Sequence, residues 1–177
     1  MSWRPMTSED LDDVLAVADE VHVDHPEDRE VFEERLRLDP GGCHVLVEDG
    51  RVLGYAITHP WRFAEPPPLN TRLHAIPADA NTYYVHDVAL LPAARGRGHA
   101  GRIGDLLAAR ARADGFAAMS LVAVNGSQSF WERLGFRTEA VPGLAKKLLS
   151  YGSDAVLMVR DLTEAGDRDE RAARSGS

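Results

Sequence analysis

The sequence predicts a single α/β domain, a mixed sheet flanked by helices. Three observations predict it. β-rich runs alternate with amphipathic helical stretches along the 177 residues. The composition, 44% apolar and 27% charged, is that of a globular chain with enough apolar side chains for a core. A basic, glycine-rich loop joins a strand to a helix, a junction that suits an anionic ligand. The domain is expected over residues 1–162. The tail, 163–177, is too charged to bury a face and is expected to be disordered.

Taken in order, residues 3–6 form a short first strand. Thr7 caps a helix whose first turn carries Glu9 and Asp10, acids favoured by the helix dipole. Leu11, Val14, Leu15 and Ala18 follow at helical spacing. Pro26 opens a second helical stretch with Phe32 and Leu36 on one face, ending before Pro40-Gly41-Gly42. Residues 43–49 and 51–59 flank Asp49-Gly50 and read as a hairpin. Residues 60–81 are irregular and proline-rich, a length that points to a functional or mobile loop. Residues 82–91 are the next strand. A helix over 98–114 follows, with Ala100, Ile103, Leu107 and Ala111 inward. A strand over 117–124, a short helix over 126–134 closed by Gly135, and a last strand over 154–162 complete the pattern.

Charge and composition exclude several function classes. Lys plus Arg is 20 and Asp plus Glu is 28, a net charge of −8, so neither nucleic acid nor an anionic membrane is expected as a partner. Cys43 is the only cysteine, which excludes an internal disulfide and a cysteine-based zinc site. The histidines lack metal-ligand spacing on a shared element, so no metal is expected. No apolar run is long enough to span a bilayer, and the first residues lack a signal-peptide core, so the expected location is cytoplasmic.

The segment Arg95-Gly96-Arg97-Gly98-His99-Ala100-Gly101 carries the most information. The first N–H groups of the helix it opens have no partner inside that helix and lie at the positive end of its dipole. Glycines let an anion approach the backbone, and Arg95, Arg97 and Arg102 reverse the chain's overall sign. These features point to a polyphosphate ligand. A dinucleotide fingerprint fits Gly96-x-Gly98-x-x-Gly101 but lacks the acid at the end of the next strand. A Walker A loop lacks its Gly-Lys-Ser/Thr. A tight turn with solvated arginines is the structural alternative.

Arg95-x-x-Gly98-x-Ala100 resembles the Arg/Gln-x-x-Gly-x-Gly/Ala motif of the GNAT superfamily of acyl-CoA-dependent N-acetyltransferases. Asn125 followed by Phe130-Trp131-Glu132-Arg133-Leu134-Gly135-Phe136 is similar to the family's second motif, Asn then Phe-Tyr-x-x-x-Gly-Phe. The resemblance spans roughly residues 2–162. It implies a mostly antiparallel sheet whose central parallel strands, 82–91 and 117–124, splay apart around acetyl-CoA. The pyrophosphate would rest on the backbone N–H groups of Arg97, Gly98, His99, Ala100 and Gly101, with Arg95 and Gly96 also in the cofactor-binding set. The pantetheine would pair with the backbone of Val88, Ala89 and Leu90 like an added strand. Asn125 would face it from the other wall, with Ser129 nearby. The resemblance also allows a homodimer.

Acetyl transfer to an amine needs a base for the ammonium, a donor for the oxyanion and a proton for the leaving thiolate. Tyr84, His86 and Val88 would share one strand face, subject to any bulge, with Asp87 on the other. His86 is the candidate base, because an imidazole titrates near the working pH. An amide of residues 88–90 would be the oxyanion donor. The acid is less evident, since Trp131 stands where the family usually has Tyr and an indole gives up no proton at neutral pH. Tyr151 is the candidate, with Tyr83 and Tyr84 as alternatives. The acceptor site is expected from the first two helices, the loop 60–81 and residues 142–153. Aromatic and acidic side chains there (Tyr55, Trp61, Phe63, Asp24, Glu27, Asp28, Glu65) suit a cationic amine. Small amines, peptide N-termini and protein lysines all fit. The expected activity is therefore acetyl transfer to a primary amine by direct attack. A catalytically silent acyl-CoA-binding domain of the same fold and a nucleotide-binding interaction module are the alternatives.

Overall fold

A computed structural model describes residues 1–163. Apart from Thr163, the segment expected to be disordered lies outside the described residues. Among the described residues, seven strands form one sheet: β1 (Ser2–Pro5), β2 (Cys43–Glu48), β3 (Arg51–Trp61), β4 (Thr82–Leu90), β5 (Ala118–Ala123), β6 (Arg137–Thr138) and β7 (Val156–Asp161). Their order is β1-β2-β3-β4-β5-β7-β6. Every neighbouring pair is antiparallel except β4 with β5, which is parallel.

Helices cover both faces. On one lie α1 (Leu11–Val21) and α2 (Arg29–Leu38). Leu11, Val14, Val17 and Phe32 meet Cys43, Val45, Tyr55 and Ile57 there. On the other lies α3 (His99–Ala113), whose Ile103, Leu107, Ala108 and Ala111 bury against Tyr83, Val85, Met119, Leu121 and Met158. Ala108 replaces Ala100 in the expected inward set, and Ala100 is only half-buried. The short helices α4 (Gln128–Arg133) and α5 (Ala145–Leu148) complete the layer structure.

Local chemistry sets the boundaries. A capping box closes the start of the first helical segment: the Thr7 N–H donates to Asp10 Oδ2 at 2.8 Å, and Arg4 donates twice to the same carboxylate at 2.8 Å. Asp49 (φ 50°) and Gly50 (φ 76°) both take the left-handed turn that a two-residue hairpin demands. Two expectations need correction. The second helix starts at Arg29 behind Asp28, not at Pro26, because Asp28 is held extended (ψ 151°). Residues 22–28 instead run as an irregular segment toward the cleft. β3 also continues through Pro60 and Trp61, which pair with Tyr83 and Thr82. Cys43 is fully buried, and burial raises its thiol pKa to about 12, which fits a packing residue.

Candidate active site

β4 and β5 pair only at Tyr83 with Met119 and Tyr84 with Ser120. Beyond that point they diverge, and a cavity of about 810 Å³ opens between them. One wall is β4 from Val85 to Leu90, and the other is Leu121, Val122, Val124 and Asn125. At its outer end stand Arg95, Gly96, Gly98, His99 and Ala100. The loop is shaped by Gly96 (φ 74°) and Gly98 (φ 81°), conformations that side chains oppose. Gly98 caps α3, and the first bond of the helix runs from the Arg102 N–H to Gly98 O at 3.1 Å. The amides of His99, Ala100 and Gly101 therefore have no acceptor inside the helix. The Trp3 indole N–H donates to His99 O at 3.0 Å and ties this turn to β1. Arg95 Nε donates to Leu90 O at 3.0 Å, which draws the loop back onto β4.

The inner end of the cavity is polar, and a bulge makes it so. Ile57 faces Asp87 but Thr58 faces Val85, so His86 is the extra residue on β4. The bulge shifts the alternation. Tyr84 and His86 share the α1/α2 face with Asp87 and Ala89, while Val88 packs with the α3 side. This corrects two expectations at once: Val88 does not share the face of His86, and Asp87 does. The segment after α1 meets both side chains. His22 Nε2 donates to Asp87 Oδ1 at 2.7 Å, and His86 Nε2 donates to Glu27 Oε1 at 2.7 Å. The Tyr55 hydroxyl donates to the second Asp87 oxygen, and the Asn70 N–H donates to Glu27 Oε2 at 3.1 Å. Two imidazole–carboxylate pairs thus cross between the segment and the bulge.

Burial alone would raise the Glu27 pKa, but His86 and the backbone of Asn70 outweigh it and hold the carboxyl below its ordinary value. Burial alone would lower the His22 pKa, but its bond to Asp87 and the charges of Asp87 and Glu27 raise it. Desolvation drives the neighbouring His59 down to about 3, so it is neutral at pH 7.

A smaller pocket of about 70 Å³ adjoins the cavity. His22, His86, Asp87, Val122 and Val124 line both. Its other walls include His25, Glu27, Pro67, Tyr84 and Tyr151. The segments expected to build the acceptor site contribute to it, together with Tyr84, His86, Asp87, Val122 and Val124, whereas Tyr55, Trp61, Phe63, Asp24, Asp28 and Glu65 are not among its lining residues. His25 closes it: Nε2 donates to Tyr151 O at 3.1 Å, and Nδ1 accepts from the Asn125 amide at 3.3 Å.

Of the residues singled out for a cofactor, Val88, Ala89, Leu90, Arg95, Gly96, Gly98, His99, Ala100 and Asn125 line the large cavity. Arg97, Gly101 and Ser129 are not among its lining residues; Ser127, Phe130 and Arg133 on the same side are. Trp131 also lines it, held edge-on between Phe130 and Phe136 at 5.0 and 5.6 Å. Tyr151 lines only the small pocket of the two. Its hydroxyl donates to Pro67 O, and burial raises its pKa to about 12. Sequence reasoning missed His22 as a site residue. Its sequence signal was its place near the end of the first helix, three residues before His25, with Asp19, Glu20 and Asp24 close by.

The fold has counterparts. The loading GNATL domain of CurA from Lyngbya majuscula matches with a TM-score of 0.76 at 15% identity, over 92% of this chain and 98% of that one. The GNAT-like decarboxylase GphF, solved with isobutyryl-CoA, matches with 0.73 at 15% identity, over 92% and 100%. Naa20 from Chaetomium thermophilum, solved with a bisubstrate analogue, matches with 0.69 at 18% identity, over 91% and 86%. Identities this low show the shared fold alone. Among curated proteins nothing matches the sequence. The model of the Acetyltransferase (GNAT) family matches residues 8–136, well over half of the chain. With the parallel pair splayed beside a glycine-capped helix, the chain belongs to the GNAT acetyltransferase family, a family of acyl-CoA-dependent acyltransferases.

Proposed function

We propose that this protein transfers an acetyl group from acetyl-CoA to a primary amine by direct attack in a ternary complex. The observation that carries the reading is the continuity of the wedge. It runs from the glycine-spaced, arginine-flanked start of α3, along β4, to the crossed imidazole–carboxylate pairs. The residues fit the coenzyme. Free amides and Arg95, Arg97 and Arg102 suit its pyrophosphate, and the edge of β4 that leaves β5 suits the amides of pantetheine. When bound, acetyl-CoA supplies the activated thioester.

His86, oriented by Glu27, takes the first proton from the acceptor's ammonium. Backbone amides of residues 88–90 are positioned to donate to the oxyanion. Direct attack is supported by the adjoining cavities, which share His22, His86 and Asp87, so that both substrates can meet there. An acyl-cysteine route has no nucleophile: the single cysteine is buried and its pKa is about 12. The acceptor is a small amine, a peptide N-terminus or a protein lysine, of the kind a narrow, acid-lined pocket admits.

Calorimetry should detect CoA binding but none of comparable strength for NAD or ATP. Thiol release from acetyl-CoA should rise with amines from a panel, with intersecting rather than parallel double-reciprocal lines. Absence of CoA binding would refute the reading. Trp131 in the cavity wall, where the family usually has Tyr, favours one second reading, a silent acyl-CoA-binding domain. CoA binding with no amine-dependent thiol release would select it.

A further inference from the structure

The leaving thiolate needs a proton, and the indole of Trp131 cannot give one. Tyr151 is an inferior donor, because its proton is committed to Pro67 O and it does not line the large cavity. His22 does line it, at the junction with the small pocket. Its backbone is fixed as the C-cap of α1, with its N–H on Ala18 O at 2.8 Å. Its side chain is 27% exposed, against 7% for His86. Asp87 holds Nε2, and Tyr55 holds Asp87, so the ring presents Nδ1 as its exchangeable nitrogen.

We infer that His22 is the proton donor to the departing CoA thiolate, with Asp87 and Tyr55 as positioning residues. The inference rests on the acyltransferase reading of the site. The protons balance. The ammonium loses its first proton to His86, which passes it to water. The amine nitrogen bonds the carbonyl carbon. As the carbon–sulfur bond breaks, its electron pair leaves on sulfur and takes the His22 Nδ1 proton. The neutral imidazole then accepts the second proton from the new amide nitrogen and is reset.

The surroundings favour a charged ring. Asp19 on α1, Glu27 on the following segment and Asp87 on β4 supply three carboxylates. Tyr55 is kept neutral, its pKa raised well above 10 by burial and Asp87. His25 and His86 are the neighbouring imidazoles, with Tyr84 and Tyr151 behind them. Arg95, His99 and Arg133 stand elsewhere along the large cavity. The negative end of α1 adds to the carboxylates.

The test needs no acceptor. With the full chain saturated with CoA, thiolate absorbance is followed as a function of pH. A nearby imidazolium stabilises the thiolate, so the bound thiol should titrate about 1 pH unit or more below free CoA. His22→Gln should return it to the free value and Asp87→Asn most of the way, while Tyr151→Phe should leave it where wild type stands. Calorimetry with CoA and circular dichroism verify that each variant is folded and loaded. A wild-type thiol titrating like free CoA overturns the inference, as does an unshifted curve in His22→Gln. If His22→Gln does not fold, wild type against Asp87→Asn decides. Failure of wild type to bind CoA would instead remove the acyltransferase reading, and this inference with it.

Discussion

His59 sits directly behind the site, edge-on to Trp61 at 5.5 Å and 6.4 Å from the ring of His86. It is fully buried, its Nδ1–H donates to Pro60 O at 2.9 Å, and its Nε2 has no hydrogen-bond partner among the described residues. Burial above all, with Arg35 adding to it, keeps the ring neutral behind the face that carries His86. This has a consequence for stability. The folded pKa, about 3, lies below the ordinary 6.5, so the unfolded chain binds the extra proton. The stabilisation is complete above about pH 6.5 and is lost as pH falls toward 3, with a limiting slope of about 1.4 kcal/mol per pH unit. His44, also lowered by burial, acts in the same direction, and His22, which is raised, acts in the opposite one. Urea unfolding from pH 7 to pH 4 should show this decline, and His59→Phe should flatten it. An identical slope in the variant would contradict the assignment.

At the scale of elements, the start of α3 separates two kinds of glycine. Gly98 needs its left-handed backbone, and a Cβ there would have only Arg102 nearby, at 3.8 Å, so the cost of a side chain is conformational rather than steric. Gly98→Val should cost about 1–2 kcal/mol and weaken CoA binding by closing the approach to the amides. Gly101 lies inside the helix with open space around it. Gly101→Ala should stabilise by about 0.5–1 kcal/mol and leave CoA binding within twofold. Thermal unfolding and calorimetry on the pair check both. The glycine loop, the hairpin turn and the amphipathic face of α3 were legible in the sequence because each is fixed by residues a few positions apart. The crossed pairs were not, since His22 with Asp87 and Glu27 with His86 join residues 65 and 59 apart. Nor was the side on which Asp87 points. The register of β3 against β4 decides the bulge, and nothing in the alternation of residues 82–90 reveals it. Pro26 misled for a related reason: residues 22–28 stay non-helical and bring His22 and Glu27 to β4, contacts that no local pattern shows.

Over the whole molecule, charge and function pull in opposite directions. The chain carries −8, and CoA is itself a polyanion, so the long-range field repels the ligand proposed for the wedge. On the proposed reading, binding then depends on short-range attraction from Arg95, Arg97 and Arg102 and from the free amides at the start of α3. At about 0.15 M salt the Debye length is roughly 8 Å, so these groups act on a bound pyrophosphate while most of the distant acids are screened. Salt then has two opposing effects. It weakens the local attraction, and it also relieves the global repulsion. With the three arginines in place the local contribution dominates, and CoA affinity should fall as NaCl rises from about 20 mM to about 0.5 M. Replacing all three by Gln takes the net charge from −8 to −8 − 3 = −11 and leaves only neutral donors at the site. In that variant the sign should reverse: binding is weak throughout and strengthens as salt screens the surplus acids. Calorimetric titration of both proteins across the salt series reads the two slopes. Parallel slopes would mean that the arginines do not face the phosphates, and that the backbone amides alone hold the coenzyme.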